Sequence, residues 1–554
     1  MVRKKRPPSR KRPARRRPLR PTLIALCVSA VVLVLVCAYI IPFFPDDAYI
    51  SFRYSENLVD GYGLTFNPGD ARVEAYSNFL WILIGAALYA VGASLPAATP
   101  VAGTLLALAC LYVFWLLLRR RFDDGMRIFL PLLLFALSGP FLMYAVSGME
   151  TALFALMLLL VVYVADGILR SPPRPAQWAA ITALGLLTAL TRPEGVVVLP
   201  LVLAYLFLSE RGSDGAAAVR RGVALSMAAF LVAYAGYTAW RVSYFGAWLP
   251  TPFISKGYDA YPIVAAWKRN FLTYFVRGSS YEHPVGYYYA ALLAAGAAGL
   301  SLRTRNGDGR RGEGLAWGLA VVMCLLYLNF VDWMPAMRYH APLVGLMLLP
   351  SARLLRLLPE WMFRRGATVV PRGFALLVAV AVLAGANGLI RSKSATSMMT
   401  EGRVECLIPL GEWLREAVPR GSTLAIGDVG AVPYYSRLNT LDINRESLTD
   451  AHIARTGFTI DYALGRRPDV VALTARGVFS PKMDPLHFGL YRDPRFGQDY
   501  RFVGTVRHRW LLDRSYWVFV RKTVRMRRDV LARFPTGIGD QFKLGFDLGD
   551  GSAR

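Results

Sequence analysis

The sequence predicts a polytopic α-helical membrane protein with a C-terminal soluble α/β domain. Three observations carry that prediction: 55% of the 554 residues are hydrophobic, the mean hydropathy is +0.36, and apolar runs recur to about residue 394 and then stop. A helical bilayer crossing takes roughly 20 consecutive apolar residues. Runs of that length or somewhat shorter lie near 22–41, 76–93, 97–118, 127–145, 150–168, 176–190, 195–208, 222–242, 286–302, 314–331, 338–354 and 372–391. Beyond them, "TLAIG" at 423–427, "DVVALTA" at 469–475 and "YWVFV" at 516–520 read as strands, and "GEWLREAV" at 411–418 has helical spacing. Residues 22–394 are thus expected to form the multi-span region, and 395–554 the soluble domain.

Residues 1–21 form a basic tail, with eleven Lys/Arg among the first twenty residues. It is proline-rich and lacks apolar periodicity, so it is expected to be disordered and cytoplasmic. The run that follows lacks a small-residue cleavage site and reads as a retained anchor. The loop 42–75 then emerges on the outer face. Counting every run as a crossing would put Arg119–Arg121 outside, against the positive-inside pattern. The conflict disappears if one of the two runs between 76 and 118 fails to cross. Basic loops at Arg119–Arg121, Arg170–Arg174, Arg211–Arg221, Arg303–Arg311 and Arg353–Arg365 then all face the cytoplasm. "SGMET" (147–151), "TRPEG" (191–195), "YFGAWLPTPFISK" (244–256) and "DWMP" (332–335) gather on the opposite face with loop 42–75 and the soluble domain.

The net charge of +27 comes largely from this tail and these loops, and fits anionic lipid rather than nucleic acid, for which no motif is present. The five cysteines and five histidines are dispersed, without metal-ligand spacing or a disulfide framework. No metal-ligand residue can be assigned from the sequence, which leaves a metal requirement open, and nothing in it names a cofactor.

The polar residues on the outer face carry the chemistry. Asp46 and Asp47 open the first outer loop, and acidic groups at a bilayer edge are costly to place. They read either as a catalytic base or as a helix-start cap. Tyr49 is among the aromatic rings of this loop suited to the interface or to stacking on sugar faces, and Arg53 could pair with a phosphate. Glu74 and Asn78 are polar groups at the start of the next apolar run. Glu150 lies within "SGMET", Arg192 and Glu194 flank Pro193, Lys256 ends the large outer loop, and Asp332, Trp333 and Arg338 lie around "DWMP". Singly each cation reads equally well as a snorkelling side chain. Together they put several cations and several carboxylates on one face. In the soluble domain Asp428 sits in a "GDVG" turn after a strand.

"DDAYISFRY", "GYGLTFNPG", "RVEAYSNFLW", "SGMETALFAL", "TRPEG", "DWMPAMRY" and "TLAIGDVGAVPYYS" occur in this order, and the chain resembles the mycobacterial terminal arabinofuranosyltransferase group. That group comprises GT-C-fold membrane glycosyltransferases using a polyprenyl-phosphate sugar as donor. The resemblance runs from about 42 to 475. It departs from the pattern at Phe330–Val331, where glycines are expected, and at "LPTPFISK", which replaces a pattern closer to LPNTYYAK. The resemblance implies a GT-C-like fold whose region 22–394 is catalytic and whose site lies on the extracytoplasmic face of the inner (plasma) membrane.

It further implies transfer of a sugar, arabinofuranose first, from polyprenyl phosphate to a cell-envelope glycan or protein acceptor, with inversion. Asp46 or Asp47 would be the general base, with Asp46 slightly favoured. Arg53, Lys256, Arg338 and Arg192 would meet the donor phosphate. Tyr49, Glu74, Asn78, Glu150, Glu194, Asp332, Trp333 and Asp428 would contact sugar or acceptor, the soluble domain capping the cavity. The alternatives are a transferase of the same fold for another sugar and a lipid-linked sugar transporter. A transporter would more naturally place ionisable groups near mid-span.

Overall fold

The computed structural model describes residues 19–40, 44–209, 215–252, 263–272, 285–302, 310–329, 334, 336–358, scattered positions from 375 to 393, 403–444, 449–476, 482–483, 485–507 and 515–535. The basic tail up to residue 18, Lys256, Asp332 and Trp333 lie outside the described residues.

The membrane region is built from α1 (Leu19–Ile40), α2 (Asp46–Val59), α3 (Phe79–Ala90), α4 (Leu95–Arg119), α5 (Gly125–Ala136), α6 (Gly139–Ala145), α7 (Thr151–Arg170), α8 (Pro175–Thr191), α9 (Val198–Ser209), α10 (Ala216–Phe245), α11 (Ile263–Phe271), α12 (Val285–Ser301), α13 (Arg310–Tyr327) and α14 (Val344–Ser351). By length and composition α1, α4, α7 and α10 suffice to cross a membrane. The apolar run 127–145 is instead two helices, α5 and α6, bent by 59°. Pro140 near the start of α6 explains the break, because it has no N–H to bond the carbonyl of Ala136 four residues back, where α5 ends, and its ring clashes with that carbonyl. The 12-residue α3 is only about 18 Å long at 1.5 Å per residue, against an apolar bilayer thickness of about 30 Å. It is too short to cross unaided. The run 338–354 is likewise a short helix, α14, flanked by 3-10 turns and almost wholly buried in protein.

Three basic loops meet at one end of the bundle. Asp166 of α7 accepts from Arg120, Arg121 and Arg170, each at 2.9 Å. Glu313 of α13 accepts from Arg121 at 3.1 Å and from Arg353, and Arg353 also donates to the carbonyl of Gly299 at the end of α12. Gly312 is required here, because a Cβ at that position would overlap the Asp166 carboxylate. The cluster joins α4, α7, α12, α13 and the turn after α14, with Arg121, Arg353, Asp166 and Glu313 fully buried and Arg120 and Arg170 at its edge.

Among its described residues the C-terminal region holds α15 (Ile408–Ala417) and six strands: β1 (Thr423–Ile426), β2 (Asn439–Asp442), β3 (Val470–Arg476), β4 (Lys482–Met483), β5 (Tyr500–Arg507) and β6 (Ser515–Arg521). Their order is β2-β1-β3-β6-β5, with β4 on the edge of β3. β1 pairs in parallel with β2 and β3, and β6 antiparallel with β3 and β5. A parallel pair needs a crossover, which α16 (Ala431–Ser436) supplies between β1 and β2. The unbroken apolar run of β3 follows from burial on both faces. Val470 and Ala472 join the core continuous with the helices, whereas Val471 and Leu473 pack with Leu490, Phe496 and Phe519.

Glu313→Ala should leave the buried Arg353 without its carboxylate and Arg121 with Asp166 alone. Such a loss typically costs about 3–5 kcal/mol, so thermal unfolding in detergent should shift down by several degrees; an unchanged midpoint would show the cluster contributes nothing to stability.

Candidate functional site

The site forms where α2 lies between the helical bundle and the sheet. Pro45 precedes α2 and offers no side-chain cap, so Asp46 and Asp47 supply the negative charge in its first turn. Successive helical residues diverge by about 100°, and the two acids part company. Both Asp46 oxygens accept backbone amides, from Gly430 and Ala431, each at 2.8 Å. Asp47 instead lines a cavity of about 60 Å³ with Ser51, Tyr76, Asn78, Glu150 and Arg338.

Glu150, buried just before α7, organises this cavity. It accepts from Arg338 at 2.9 Å and from Asn78 at 3.0 Å, and lies 3.7 Å from Arg192. Burial alone would raise its carboxyl, but Arg338 and Arg192 outweigh that and hold it below the usual range. Arg338 in turn stands 4.0 Å from Asp47. Arg192 reaches Glu194 at 2.7 Å, and Glu194 accepts from Tyr327 at 3.2 Å. Just before Arg338, Ala336 and Met337 both adopt left-handed backbone, with φ of 56° and 54°. Such a pair of non-glycine residues is strained and persists only where surroundings impose it.

A second cavity, of about 350 Å³, is mostly apolar; Glu74, Glu194, Tyr237, Arg241 and Leu326 are among its walls. Tyr76 and Ser77 line both cavities. Arg241, at the end of α10, pairs with Glu74 at 2.6 Å and donates to the Trp248 carbonyl, while Thr251 N–H donates to the Glu74 carbonyl at 3.0 Å. Burial outweighs the neighbouring guanidinium and pushes the Glu74 carboxyl up to about 7.

Of the residues singled out in sequence, the structure gathers Asp47, Asn78, Glu150, Arg192, Arg338, Glu194 and Glu74 around these two cavities. Four others lie elsewhere, Asp46 on the Gly430 and Ala431 amides among them. Arg53 is buried and donates to the carbonyls of Phe66, Pro433 and Leu438 at 2.7–2.8 Å, and its guanidinium lies over the Phe66 ring. Tyr49 packs on Tyr434 and Tyr435. Asp428 accepts from Tyr516 within the sheet domain. Arg241, Tyr76 and Ser77 were not singled out. Arg241 is an arginine inside the otherwise apolar run 222–242, which is a signal for an intramembrane functional group. Tyr76 and Ser77 sit between Glu74 and Asn78 and read as part of that run's start.

The overall arrangement recurs in solved proteins. The fold is GT-C-like. ArnT from Cupriavidus metallidurans, bound to undecaprenyl phosphate, superposes with a TM-score of 0.59 at 13% identity, over 90% of this chain and 97% of that one. The archaeal oligosaccharyltransferase AglB from Archaeoglobus fulgidus, in complex with an inhibitory peptide and a dolichol-phosphate, gives 0.52 at 13% identity, over 81% of this chain and 69% of that one. The arabinofuranosyltransferase AftD from Mycobacteria gives 0.50 at 15% identity, over 90% of this chain and 40% of AftD. Residues 396–521 match the family model described as a domain of unknown function, DUF8728. No curated protein matches the chain.

The Glu74 carboxyl is lifted from its ordinary 4.5 to about 7, so its contribution to stability is full below about pH 4.5 and is lost as pH rises toward 7. Glu74→Gln should remove that decline. Thermal midpoints of both proteins from pH 4.5 to 8 check this: parallel curves would contradict it, convergence at low pH and divergence above 6 would support it.

Proposed function

We propose that the chain is a membrane glycosyltransferase that moves a sugar, with arabinofuranose the first candidate, from a polyprenyl-phosphate donor to a cell-envelope glycan or protein. One observation carries the reading most directly: a carboxylate, Asp47, faces a guanidinium, Arg338, across 4.0 Å in a small polar cavity whose wall is shared with a larger apolar one. A lipid-linked sugar phosphate has matching parts, and the GT-C-like fold and the lipid phosphates bound by ArnT and AglB support the assignment.

In this reading Asp47 takes the proton of the acceptor hydroxyl. The freed oxygen attacks the anomeric carbon as its bond to the phosphate oxygen breaks, the electron pair leaves with polyprenyl phosphate, and configuration inverts. Arg338 stabilises the charge developing on the leaving phosphate, and Lys256, which follows α10 in sequence, is the second cation proposed for it. Asp46, first favoured as base, is taken up by backbone amides, and Arg53, proposed as a phosphate ligand, by carbonyls; neither is assigned a chemical step. Glu74, Asn78, Glu150 and Glu194 border the space for sugar and acceptor, and Arg192 serves by balancing Glu150 and Glu194. The active site faces the extracytoplasmic side of the inner membrane, with the end holding the Asp166–Glu313 cluster in the cytoplasm.

Purified protein in nanodiscs, given a panel of radiolabelled polyprenyl-phosphate sugars, should transfer one of them. Asp47→Asn keeps shape but loses the basic oxygen, and turnover should fall about 10²–10⁴-fold with donor binding retained. Transfer at the wild-type rate would remove Asp47 from the mechanism; no transfer by the wild-type protein from any donor would overturn the reading.

Sidedness is tested separately. Cysteines placed at the exposed Tyr62 and Arg495, in a background lacking the exposed Cys27, should react with an impermeant maleimide in spheroplasts. Protection of either until lysis would reverse the topology.

A further inference from the structure

Chemistry placed on Asp47 leaves the sheet domain, which belongs to a family of unknown function, without a task. Its contacts define one. Asp46, Tyr49, Arg53 and Glu56 recur at spacings that put them on one face of α2, and all four meet the segment 430–438. Asp46 accepts the Gly430 and Ala431 amides at 2.8 Å. Tyr49 packs on Tyr434 and Tyr435, with ring centroids 5.3 and 5.6 Å apart. Arg53 donates to the Pro433 and Leu438 carbonyls, both at 2.8 Å. Glu56 accepts from Tyr434 Oη and Arg437. Just beyond α2, Asn67 exchanges two bonds with the backbone of Thr440 on β2, at 2.8 and 2.9 Å. The cavity takes the neighbouring face of the same helix, Asp47, Ile50 and Ser51.

We propose that the sheet domain is a positioning device for the catalytic helix: by gripping Asp46, Arg53 and Glu56 it fixes the roll of α2 about its axis, and so decides that Asp47 faces the cavity. The inference rests on the glycosyltransferase reading for its kinetic consequence only. α2 has 14 residues and no side-chain N-cap, and isolated helices of that length are marginal, so its orientation comes from what it docks on. The grip is close: a Cβ on Gly430 would overlap the carbonyl and carboxylate of Asp46. Asp46, Arg53 and Glu56 are therefore positioning residues, acting on the reaction through Asp47.

The test uses the full chain and three variants, Asp46→Asn, Gly430→Ala and Glu56→Gln, the last a mild change that removes charge and little volume. Each should lower kcat, by about 10²-fold where a misplacement near 1 Å results, with donor KM changed by less than about twofold. The acidic limb of the pH–rate profile should persist in all three, because Asp47 remains the base. Asp46→Asn combined with Gly430→Ala should be no worse than the poorer single variant, since both break one contact. Amide hydrogen exchange across 46–59 should quicken in Gly430→Ala and Glu56→Gln. Loss of the acidic limb in Asp46→Asn alone would make Asp46 the base and overturn the proposal. So would wild-type turnover and exchange in Gly430→Ala and Glu56→Gln. Quickened exchange in a wild-type background that transfers no sugar would instead support the positioning role and discard the glycosyltransferase reading.

Discussion

A carboxylate cannot be sealed in a protein unless something neutralises it, and burying Glu150 imposes the arrangement of everything near it. The effective penalty for an unpaired buried ion is several kcal/mol. Arg338, Asn78 and Arg192 converge on Glu150 for that reason, each from a different part of the chain. Arg338 then has a remaining face for Asp47, and Arg192 draws Glu194 to the edge of the apolar cavity. The strained backbone at Ala336 and Met337 is intelligible as the consequence of aiming Arg338 at Glu150 from a turn that must reverse between α13 and α14.

The two ends of the bundle use charge differently. Around Asp166 and Glu313 the guanidinium groups of Arg120, Arg121, Arg170 and Arg353 are bound to carboxylate or carbonyl. Around Glu150, Arg192 Nη1 and Arg338 Nε have no hydrogen-bond partner among the described residues. Buried donors without partners cost free energy, and under the proposed reading the donor phosphate would meet these two. The same contrast separates Arg53, fully occupied by carbonyls, from Arg338, though both are buried arginines on one face of the membrane region.

Much of this was legible in the sequence, and the limit falls at contacts distant along the chain. The acid pair, the SGMET glutamate and the arginine of TRPEG stand out because ionisable groups beside apolar runs are conspicuous. Three strands, β1, β3 and β6, announced themselves as apolar runs, whereas β2 (NTLD) and β4 (KM) are too short and polar to register. The choice between Asp46 and Asp47 was not legible. It depends on which face of α2 meets Gly430, a residue 384 positions away. Arg53 misled for the same reason: in a loop it reads as a phosphate ligand, and only the fold brings the carbonyls of 433 and 438 to it. Arg241 was hidden by its apolar neighbours, which set the average of the run while the one charged group set its chemistry.

The cavity volumes constrain how a donor would sit under the proposed reading. The polar cavity, of about 60 Å³, is the smaller of the two spaces and holds the charged groups. The apolar cavity of about 350 Å³ falls within the usual range for ligand pockets. The bulk of a lipid-linked sugar therefore belongs to the larger space, and only the hydroxyl and the bond being broken belong beside Asp47. The two spaces share Tyr76 and Ser77, so the anomeric carbon has to lie against that wall. Glu74, two residues before Tyr76, is paired to Arg241 and hydrogen-bonded through its carbonyl to Thr251. The same short segment thus forms the partition between the cavities and anchors the outer loop, which ties the shape of the reaction space to a contact that the Glu74 carboxyl weakens or strengthens as it changes charge.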